Sequence, residues 1–237
     1  MMKTTPRRFS HIDTWVFDLD NTLYPPDSDL WPQIDARITG FLMDFLGLDG
    51  LAARALQKHY YKTHGTTLKG LMTERRLDPA EFLAVVHDID RSNLAAAPAL
   101  DHSIRALPGK KYIFTNGSTG HAEATARQLG ILDNFSGIFD IAAAGYVPKP
   151  LPEAYQLFFT RFGIVPGRAA MFEDLVKNLA VPHAAGMTTV LVAAKASVED
   201  NRDAWEKQQT ADPTVDFVTD DLAGFLAANN PSRGQVI

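Results

Sequence analysis

Two carboxylates, Asp18 and Asp20, directly follow a short apolar run at 14–17 in the sequence. A run of this length and composition is typical of a buried strand, and the polar turn behind it is a place where reactive side chains can sit. Further polar residues stand just past later apolar runs: Thr115 and Asn116, Lys149, and Glu173 with Asp174. These residue types are those of a site that binds a metal ion together with an anion.

The four carboxylates of this set would repel one another if they met. Like charges at close range raise one another's pKa or require a cation. Because the available ligands are oxygen atoms and the chain contains no cysteine, Mg²⁺ is favoured over zinc. The cation and Lys149 would neutralise a phosphate dianion, while Thr115 and the backbone N–H groups of Asn116 and Gly117 would bind its oxygens. The set therefore predicts phosphoryl transfer.

The elements that must position these residues alternate between short apolar runs and amphipathic helices. Strands are predicted at 14–18, 112–114, 138–141, 169–172 and 189–192, with helices at 119–129, 152–162 and 176–185. This alternation predicts an α/β fold with a parallel sheet covered on both faces. Ligand sites in such sheets lie beyond the carboxyl ends of the strands, so the polar residues are expected to converge on one rim.

The segment 24–106 has helical spacing and no convincing strand. One helical face carries Ile34, Ile38, Phe41, Leu42 and Phe45, Gly47 is predicted to end that helix, and further helices are predicted near 49–64, 67–76, 79–88 and 98–106. Because the first strand belongs with the later ones, the helical segment is an insertion. We predict a core domain made of 1–23 and 107–237 and a helical cap domain at 24–106.

Composition narrows the class of partner. The formal net charge is −5 and the isoelectric point is near 5.8, which argues against a nucleic-acid polymer or an acidic membrane as the ligand. The absence of cysteine excludes disulfides, thiolate catalysis and cysteine-bound zinc. With no stretch long enough to span a membrane, a cytoplasmic location and a small-molecule ligand are expected. Oligomeric state is left open.

Four segments resemble, in order, the motifs of the haloacid dehalogenase (HAD) superfamily: Phe17–Tyr24, Phe114–Gly117, Pro148–Pro150, and Phe172–Asp174 with Asn178. The resemblance implies a Rossmann-like core and a phosphatase mechanism. By the same resemblance, Asp18 is the nucleophile and Asp20 the general acid and base. Thr115 binds the phosphate, and Lys149 orients Asp18 and offsets charge.

The resemblance also implies a metal site. Mg²⁺ would be held by the carboxylates of Asp18 and Asp174 and by the backbone carbonyl of Asp20, with Glu173 as a ligand or a supporting partner. Many relatives carry a second aspartate four residues after Asp174, where this chain has Asn178. Which of Glu173 and Asn178 contacts the ion directly is left open.

Asp20 separates two reactions within the superfamily. Its dehalogenases lack a carboxylate two residues after the nucleophile, because a halide leaves without a proton. A departing alkoxide needs a proton, so Asp20 predicts a phosphatase.

The helical insertion resembles the mobile cap that selects substrates in this superfamily. The form of the first motif at 20–25 and the cap segment 60–71 resemble the pyrimidine 5′-nucleotidase branch, which implies UMP or CMP as substrate. Tyr24, Tyr61 and His64 are the candidate substrate-binding residues outside the core motifs. The alternatives are a phosphatase for a sugar phosphate or phosphoglycolate, and a non-catalytic nucleotide-binding protein on the same fold. No zinc site is predicted. Six histidines show no metal-binding spacing, and ordinary packing or surface roles are expected for most of them: His59, His64, His87, His102, His121 and His183.

Overall fold

The computed structural model describes residues 9–195 and 211–232. The strands are β1 (Thr14–Phe17), β2 (Lys110–Phe114), β3 (Gly137–Phe139), β4 (Ala169–Glu173), β5 (Thr188–Val192) and β6 (Phe217–Thr219). They form one sheet in the order β3-β2-β1-β4-β5-β6, and every pair is parallel. The predicted α/β fold with a parallel sheet is confirmed.

Nine α-helices surround or extend this sheet in the described residues. They are α1 (Leu30–Leu46), α2 (Gly50–His64), α3 (Thr67–Arg75), α4 (Pro79–Val86), α5 (Pro98–Ala106), α6 (Thr119–Gln128), α7 (Pro152–Phe162), α8 (Ala180–Ala185) and α9 (Leu222–Ala228). Local sequence explains several ends. Gly47 ends α1 with a left-handed φ of 64°, as predicted, and Asp49 starts α2 by accepting from the N–H of Ala52 at 2.9 Å.

The sheet is buried on both faces because alternate strand residues point to opposite sides. Trp15 and Phe17 of β1 belong to an apolar cluster with residues of α5, α6 and α9, whereas Val16 belongs to a second cluster with residues of α7. Helices therefore pack on both faces of the sheet, and the strand ends remain as the rim on which polar side chains can lie.

The helical insertion has an apolar cluster of its own, which includes Phe41, Tyr60, Leu71 and Phe82. The first turns of α1 and the helix α5 lie within the predicted cap range, but their buried residues do not pack in this cluster. Leu30, Ile34, Leu100 and Ile104 pack in the cluster that covers the sheet.

The division into a core (1–23 and 107–237) and a cap (24–106) stays a prediction, and α5, within the predicted cap range, packs against the sheet. The helix α5 is amphipathic, and its apolar side is buried beside α9 on the sheet. We use the word cap below for the helices α1 to α4, whose apolar residues form the insertion's own cluster.

The strand β6 and the helix α9 were not predicted, because β6 is short and only partly buried. Parts of the predicted core range, at 1–8, 196–210 and 233–237, lie outside the described residues. Among the residues that are described, no helix is long and apolar enough to cross a membrane.

Candidate active site

The strand order places the candidate residues side by side. The strand β1 lies between β2 and β4, at the point where the chain order of the sheet reverses. Asp18 continues β1, and its backbone N–H donates to the carbonyl of Phe172 at 2.9 Å. Thr115 continues β2 in the same way and donates to the carbonyl of Phe139 at 3.0 Å. The ends of three adjacent strands therefore open on one rim.

Lys149 is the central cation of this rim. Its Nζ donates to Asp18 Oδ1 at 2.7 Å, to Glu173 Oε1 at 2.7 Å and to the carbonyl of Phe114 at 2.8 Å. Only 2% of the residue is exposed. Burial alone would lower the pKa of Lys149, but Asp18 and Glu173 raise it above its ordinary value. The ammonium is therefore charged and fixed by three acceptors.

Asn116 holds the backbone of this lysine. Its Oδ1 accepts from the N–H of Lys149 at 2.8 Å, and its Nδ2 donates to the Lys149 carbonyl at 3.1 Å. The side chain predicted to bind substrate is thus engaged with the lysine loop. Its contribution is to align β2 with the segment that carries Lys149.

Asp18 is nearly buried, with 7% of its surface exposed. Burial raises the pKa of its carboxyl to about 7, with Glu173 and Asp20 adding to the rise and Lys149 opposing it. Its Oδ2 also accepts a hydrogen bond from the hydroxyl of Thr22 at 3.2 Å. An additional positive charge at this point would favour the ionised form that a nucleophile requires.

The carboxylates of Asp18, Glu173 and Asp174 can place oxygen atoms within 4.8 Å of one another, and all three residues are buried. Glu173 has protein partners for both oxygens: Oε1 accepts from Lys149 and from Asn178 Nδ2 at 2.6 Å, and Oε2 accepts from the N–H of Leu175 at 2.9 Å. The contact with Glu173 orients the amide of Asn178. Its Oδ1 is buried and has no hydrogen-bond partner among the described residues.

This donor set fits a hard divalent cation. All candidate ligands are oxygen atoms, the local carboxylates outnumber the one lysine, and Asn178 Oδ1 is an acceptor that a metal-bound water would satisfy. Three hydrogen bonds already engage Glu173, which favours it as a supporting partner of the cation rather than a direct ligand.

Asp20 lies on the turn after β1, where Asn21 takes a left-handed φ of 57° that asparagine tolerates better than most residues. Its Oδ1 accepts from the hydroxyl of Tyr24 at 2.6 Å and lies 2.8 Å from His121 Nε2. Burial raises the pKa of Asp20, but His121 and Tyr24 outweigh burial and bring it below its ordinary value.

Tyr24 differs from its predicted role as a substrate-binding residue. It is 1% exposed, and its hydroxyl donates a hydrogen bond to Asp20, so its buried side chain helps to orient that carboxylate. His121, which lies on the same oxygen, is not among the residues that the sequence predicts for the site. The available signal was its position in the first turn of α6, directly after the second motif.

Thr115 and Gly117 form the turn between β2 and α6. The backbone N–H of Gly117 donates to Thr115 Oγ1 at 2.9 Å, so this predicted phosphate donor is engaged inside the turn. A Cβ at Gly117 would lie 3.2 Å from Thr115 Oγ1 and 3.3 Å from His121 Cδ2. The turn therefore favours glycine. The Thr115 hydroxyl can still donate its own hydrogen to a bound anion.

Tyr61 and His64 line a cleft of about 740 Å³ between the cap and the core. The other residues along this cap cleft are Lys62, Thr63, Gly65, Lys69, Pro150, Leu151 and Lys177. Lys177, which precedes Asn178, donates from its Nζ to the hydroxyl of Tyr61 at 2.9 Å. A cavity of this size is in the range of small-molecule sites.

Residues 12–186 match the sequence profile of the haloacid dehalogenase-like hydrolases. Among curated proteins, the chain is 29% identical over 174 residues to Phosphate metabolism protein 8 of Saccharomyces cerevisiae, which covers 67% of this chain and 54% of that protein. The chain therefore spans about half the length of this relative. It is also 26% identical over 197 residues to a phosphoglycolate phosphatase of Chromobacterium violaceum, covering 77% of this chain and 85% of that protein.

Solved structures share the fold at low sequence identity. An L-2-haloacid dehalogenase from Xanthobacter autotrophicus superimposes with a TM-score of 0.58 at 17% identity, covering 95% of this chain and all of that one. A HAD-hydrolase of Bacillus subtilis bound to magnesium superimposes with a TM-score of 0.57 at 16% identity, covering 94% of this chain and 100% of that one. At these identities the likeness shows the architecture alone.

Proposed function

We propose that this chain, which belongs to the haloacid dehalogenase-like hydrolases, is a magnesium-dependent phosphomonoesterase that forms an aspartyl-phosphate on Asp18. The observation that carries the proposal is the environment of Asp20. Two donors, at 2.6 and 2.8 Å, hold this second carboxylate beside the first. A phosphate ester needs such a group to protonate its leaving oxygen, and an alkyl halide does not.

In the first step, a carboxylate oxygen of Asp18 attacks phosphorus and the bond from phosphorus to the ester oxygen breaks. Asp20 gives its proton to that oxygen, so an alcohol leaves. The negative charge of the bound phosphate opposes the donors around Asp20 and favours its protonated form, because like charges raise a carboxyl pKa. Lys149 keeps Asp18 oriented through the 2.7 Å contact and offsets the charge of the phosphoryl group.

In the second step, a water molecule attacks phosphorus and the bond from phosphorus to Asp18 breaks. Asp20, now ionised, accepts the proton of that water, so both carboxyl groups return to their starting states. Thr115 lies at the adjacent strand end, where its hydroxyl can donate to a phosphoryl oxygen in both steps.

Magnesium would be held by Asp18 and Asp174, with Glu173 and Asn178 as supporting partners. When bound, it neutralises charge on the transferred phosphoryl group and on the nucleophile. The pKa of Asp18, which is raised to about 7 without a cation, is consistent with this need.

For the substrate we propose a pyrimidine nucleoside 5′-monophosphate. The segment 60–71, whose sequence resembles the pyrimidine 5′-nucleotidase branch, supplies Tyr61 and His64 to the cap cleft. An aromatic ring and hydrogen-bonding side chains suit a flat heterocycle that carries polar edges.

A second candidate is a compact phosphomonoester with another anionic group, such as phosphoglycolate. The observation that favours it is the positive charge of the cap cleft, which Lys62, Lys69 and Lys177 line. The similarity to a bacterial phosphoglycolate phosphatase is consistent with this alternative.

A substrate panel tests both candidates. Phosphate release is measured with Mg²⁺ for UMP, CMP, AMP, glucose 6-phosphate and phosphoglycolate, and the substrates are ranked by kcat/KM. We expect UMP and CMP to rank first and excess EDTA to abolish release. A first rank for phosphoglycolate would favour the second candidate, and full activity in EDTA would exclude the metal-dependent mechanism. Nucleotide binding by calorimetry without release would instead indicate a non-catalytic protein.

A further inference from the structure

We propose that His121 is the positioning residue that orients Asp20 for proton transfer. Its Nε2–H donates to Asp20 Oδ1, which reserves Oδ2 for the proton that passes to the leaving oxygen. The inference rests on the proposed phosphatase activity and adds to it a residue from outside the four motifs. His121 is 2% exposed and lies 2.8 Å from Asp20 Oδ1.

The direction of this hydrogen bond follows from Arg91 on the other side of the imidazole. Arg91 Nη2 lies 2.8 Å from His121 Nδ1. A guanidinium can only donate, so Nδ1 must accept and the ring proton must be on Nε2. Nε2 is the nitrogen that faces Asp20, and the histidine is therefore a donor to that carboxylate.

Arg91 is itself held in place. Its Nε donates to Thr125 Oγ1 at 3.2 Å, Nη1 to the carbonyl of Ile89 at 3.1 Å, and Nη2 also to the carbonyl of His87 at 3.2 Å. Backbone carbonyls and a hydroxyl on α6 fix the plane of the guanidinium. The planar fork of arginine suits this task, because one orientation satisfies several acceptors at once.

The two oxygens of Asp20 have different environments. Oδ1 receives hydrogen bonds from Tyr24 and His121, while Oδ2 accepts none from the residues that the structure describes. A proton on Oδ1 would face two donors, so the proton belongs on Oδ2. The carboxyl group is thereby oriented before the substrate arrives, which is the condition for efficient proton transfer.

His87 completes the arrangement by covering one face of His121. The two rings stack with centroids 4.5 Å apart and planes 9° apart, and His87 Nδ1 lies 2.9 Å from the hydroxyl of Ser118. Burial lowers the pKa of His87 to about 3, with His121 adding to the effect, so the covering ring is neutral. The residues come from the turn after β1, from α6 and from the chain that returns from α4, and they meet only in the folded protein.

The first test measures the tautomer directly and does not require activity. Nitrogen NMR of the imidazole of His121 should show the proton on Nε2 in the wild-type protein. In Arg91→Met the donor to Nδ1 is gone, so Nδ1 should become able to carry a proton in addition to the one on Nε2, which Asp20 Oδ1 still accepts. A proton on Nδ1 in the wild-type protein would overturn the inference even if the phosphatase activity were established.

The second test compares leaving groups in His121→Leu and His121→Gln. Nitrophenolate leaves without a proton, so the pre-steady-state burst of nitrophenolate from 4-nitrophenyl phosphate should change little in His121→Leu. Aspartyl-phosphate formation from UMP, which expels an alkoxide, should fall by about 10²-fold, a factor that general acid catalysis can supply. The Gln variant should recover much of this loss, since its amide N–H can replace Nε2–H.

A purely structural role would give a different result. Equal losses on the two esters, or a Gln variant no better than the Leu variant, would overturn the proposal. Thermal unfolding of each variant shows whether it is folded, and His102→Gln, at an exposed position on α5, is the matched control. Absence of phosphate release from any ester in the wild-type protein would instead refute the proposed function, and the NMR result would still decide the tautomer.

Discussion

The two walls of the active-site region differ in burial and in bonding. On the core wall, Asp18, Lys149 and Glu173 are buried and joined by contacts of 2.7 Å. On the cap wall, Tyr61 and His64 are only partly buried and Lys62 is exposed. Charged groups that act on a bond must be fixed and shielded from water, because their electrostatic effect weakens in a high dielectric. A surface that selects substrates can remain open and adaptable.

The largest effect is expected from the nucleophile on the core wall. Asp18→Asn should lower kcat by about 10⁵-fold or more, the order of loss that follows removal of a catalytic nucleophile. Phosphate release measures the rate, and acid quenching tests for the aspartyl-phosphate, which should be absent. Circular dichroism confirms folding. A variant that kept several per cent of wild-type activity would refute the assignment of Asp18.

Replacing a lysine should lower kcat strongly on the core wall and hardly at all on the cap wall. Lys149→Met removes the buried ammonium that contacts Asp18 and should lower kcat by about 10²- to 10³-fold, as loss of one preorganised electrostatic group does. Lys62→Met, on the cap cleft, should leave kcat nearly unchanged and alter KM only modestly. Steady-state kinetics with the best substrate of the panel measures both. Similar losses of kcat in the two variants would contradict the division of roles.

Replacing a carboxylate should change the free energy of unfolding more on the core wall than in the cap. Glu173 accepts hydrogen bonds from Lys149, Leu175 and Asn178, so the NH₂ group of Glu173→Gln would face a donor in a buried site. We expect a loss of roughly 1–3 kcal/mol in the free energy of unfolding. Glu74→Gln is the matched cap variant: its side chain is 42% exposed, and the change should be much smaller. Urea unfolding measures both, and equal destabilisation would contradict the comparison.

The smallest effect on catalysis is expected from the contact between the two walls, the hydrogen bond from Lys177 to Tyr61. Tyr61→Phe and Lys177→Met each remove the 2.9 Å hydrogen bond across the cap cleft. Each should raise KM a few-fold with little change in kcat, and the double variant should be no worse than the poorer single variant, because both lose the same contact. The matched control is Lys58→Met, a cap lysine outside the cleft lining. Additive effects would show that the two side chains act independently.

Much of the core could be predicted because local patterns specify it. The first five strands coincide with short apolar runs, and Asp18, Thr115 and Asp174 directly follow strand ends. Lys149 differs from its expected place, because it lies on the loop between β3 and α7 and not at the end of a strand. The strand β6 offered too few apolar residues for recognition. The helix α5 was recognised as a helix but placed in the cap, since an apolar face alone does not say which surface will cover it.

Local order along the chain was enough to indicate the class of chemistry. Asp18 and Asp20 are neighbours on one turn. Together with the three later motifs, their resemblance to the superfamily implies a nucleophile and a proton donor. The partners of Asp20 could not be inferred in this way. His121 lies 101 positions away from it and Arg91 is 30 positions from His121, and neither spacing carries a periodic signal. Their contact depends on how α6 and the chain returning from α4 pack against the turn after β1, because hydrogen-bond partners distant in sequence are set by the packing of whole elements.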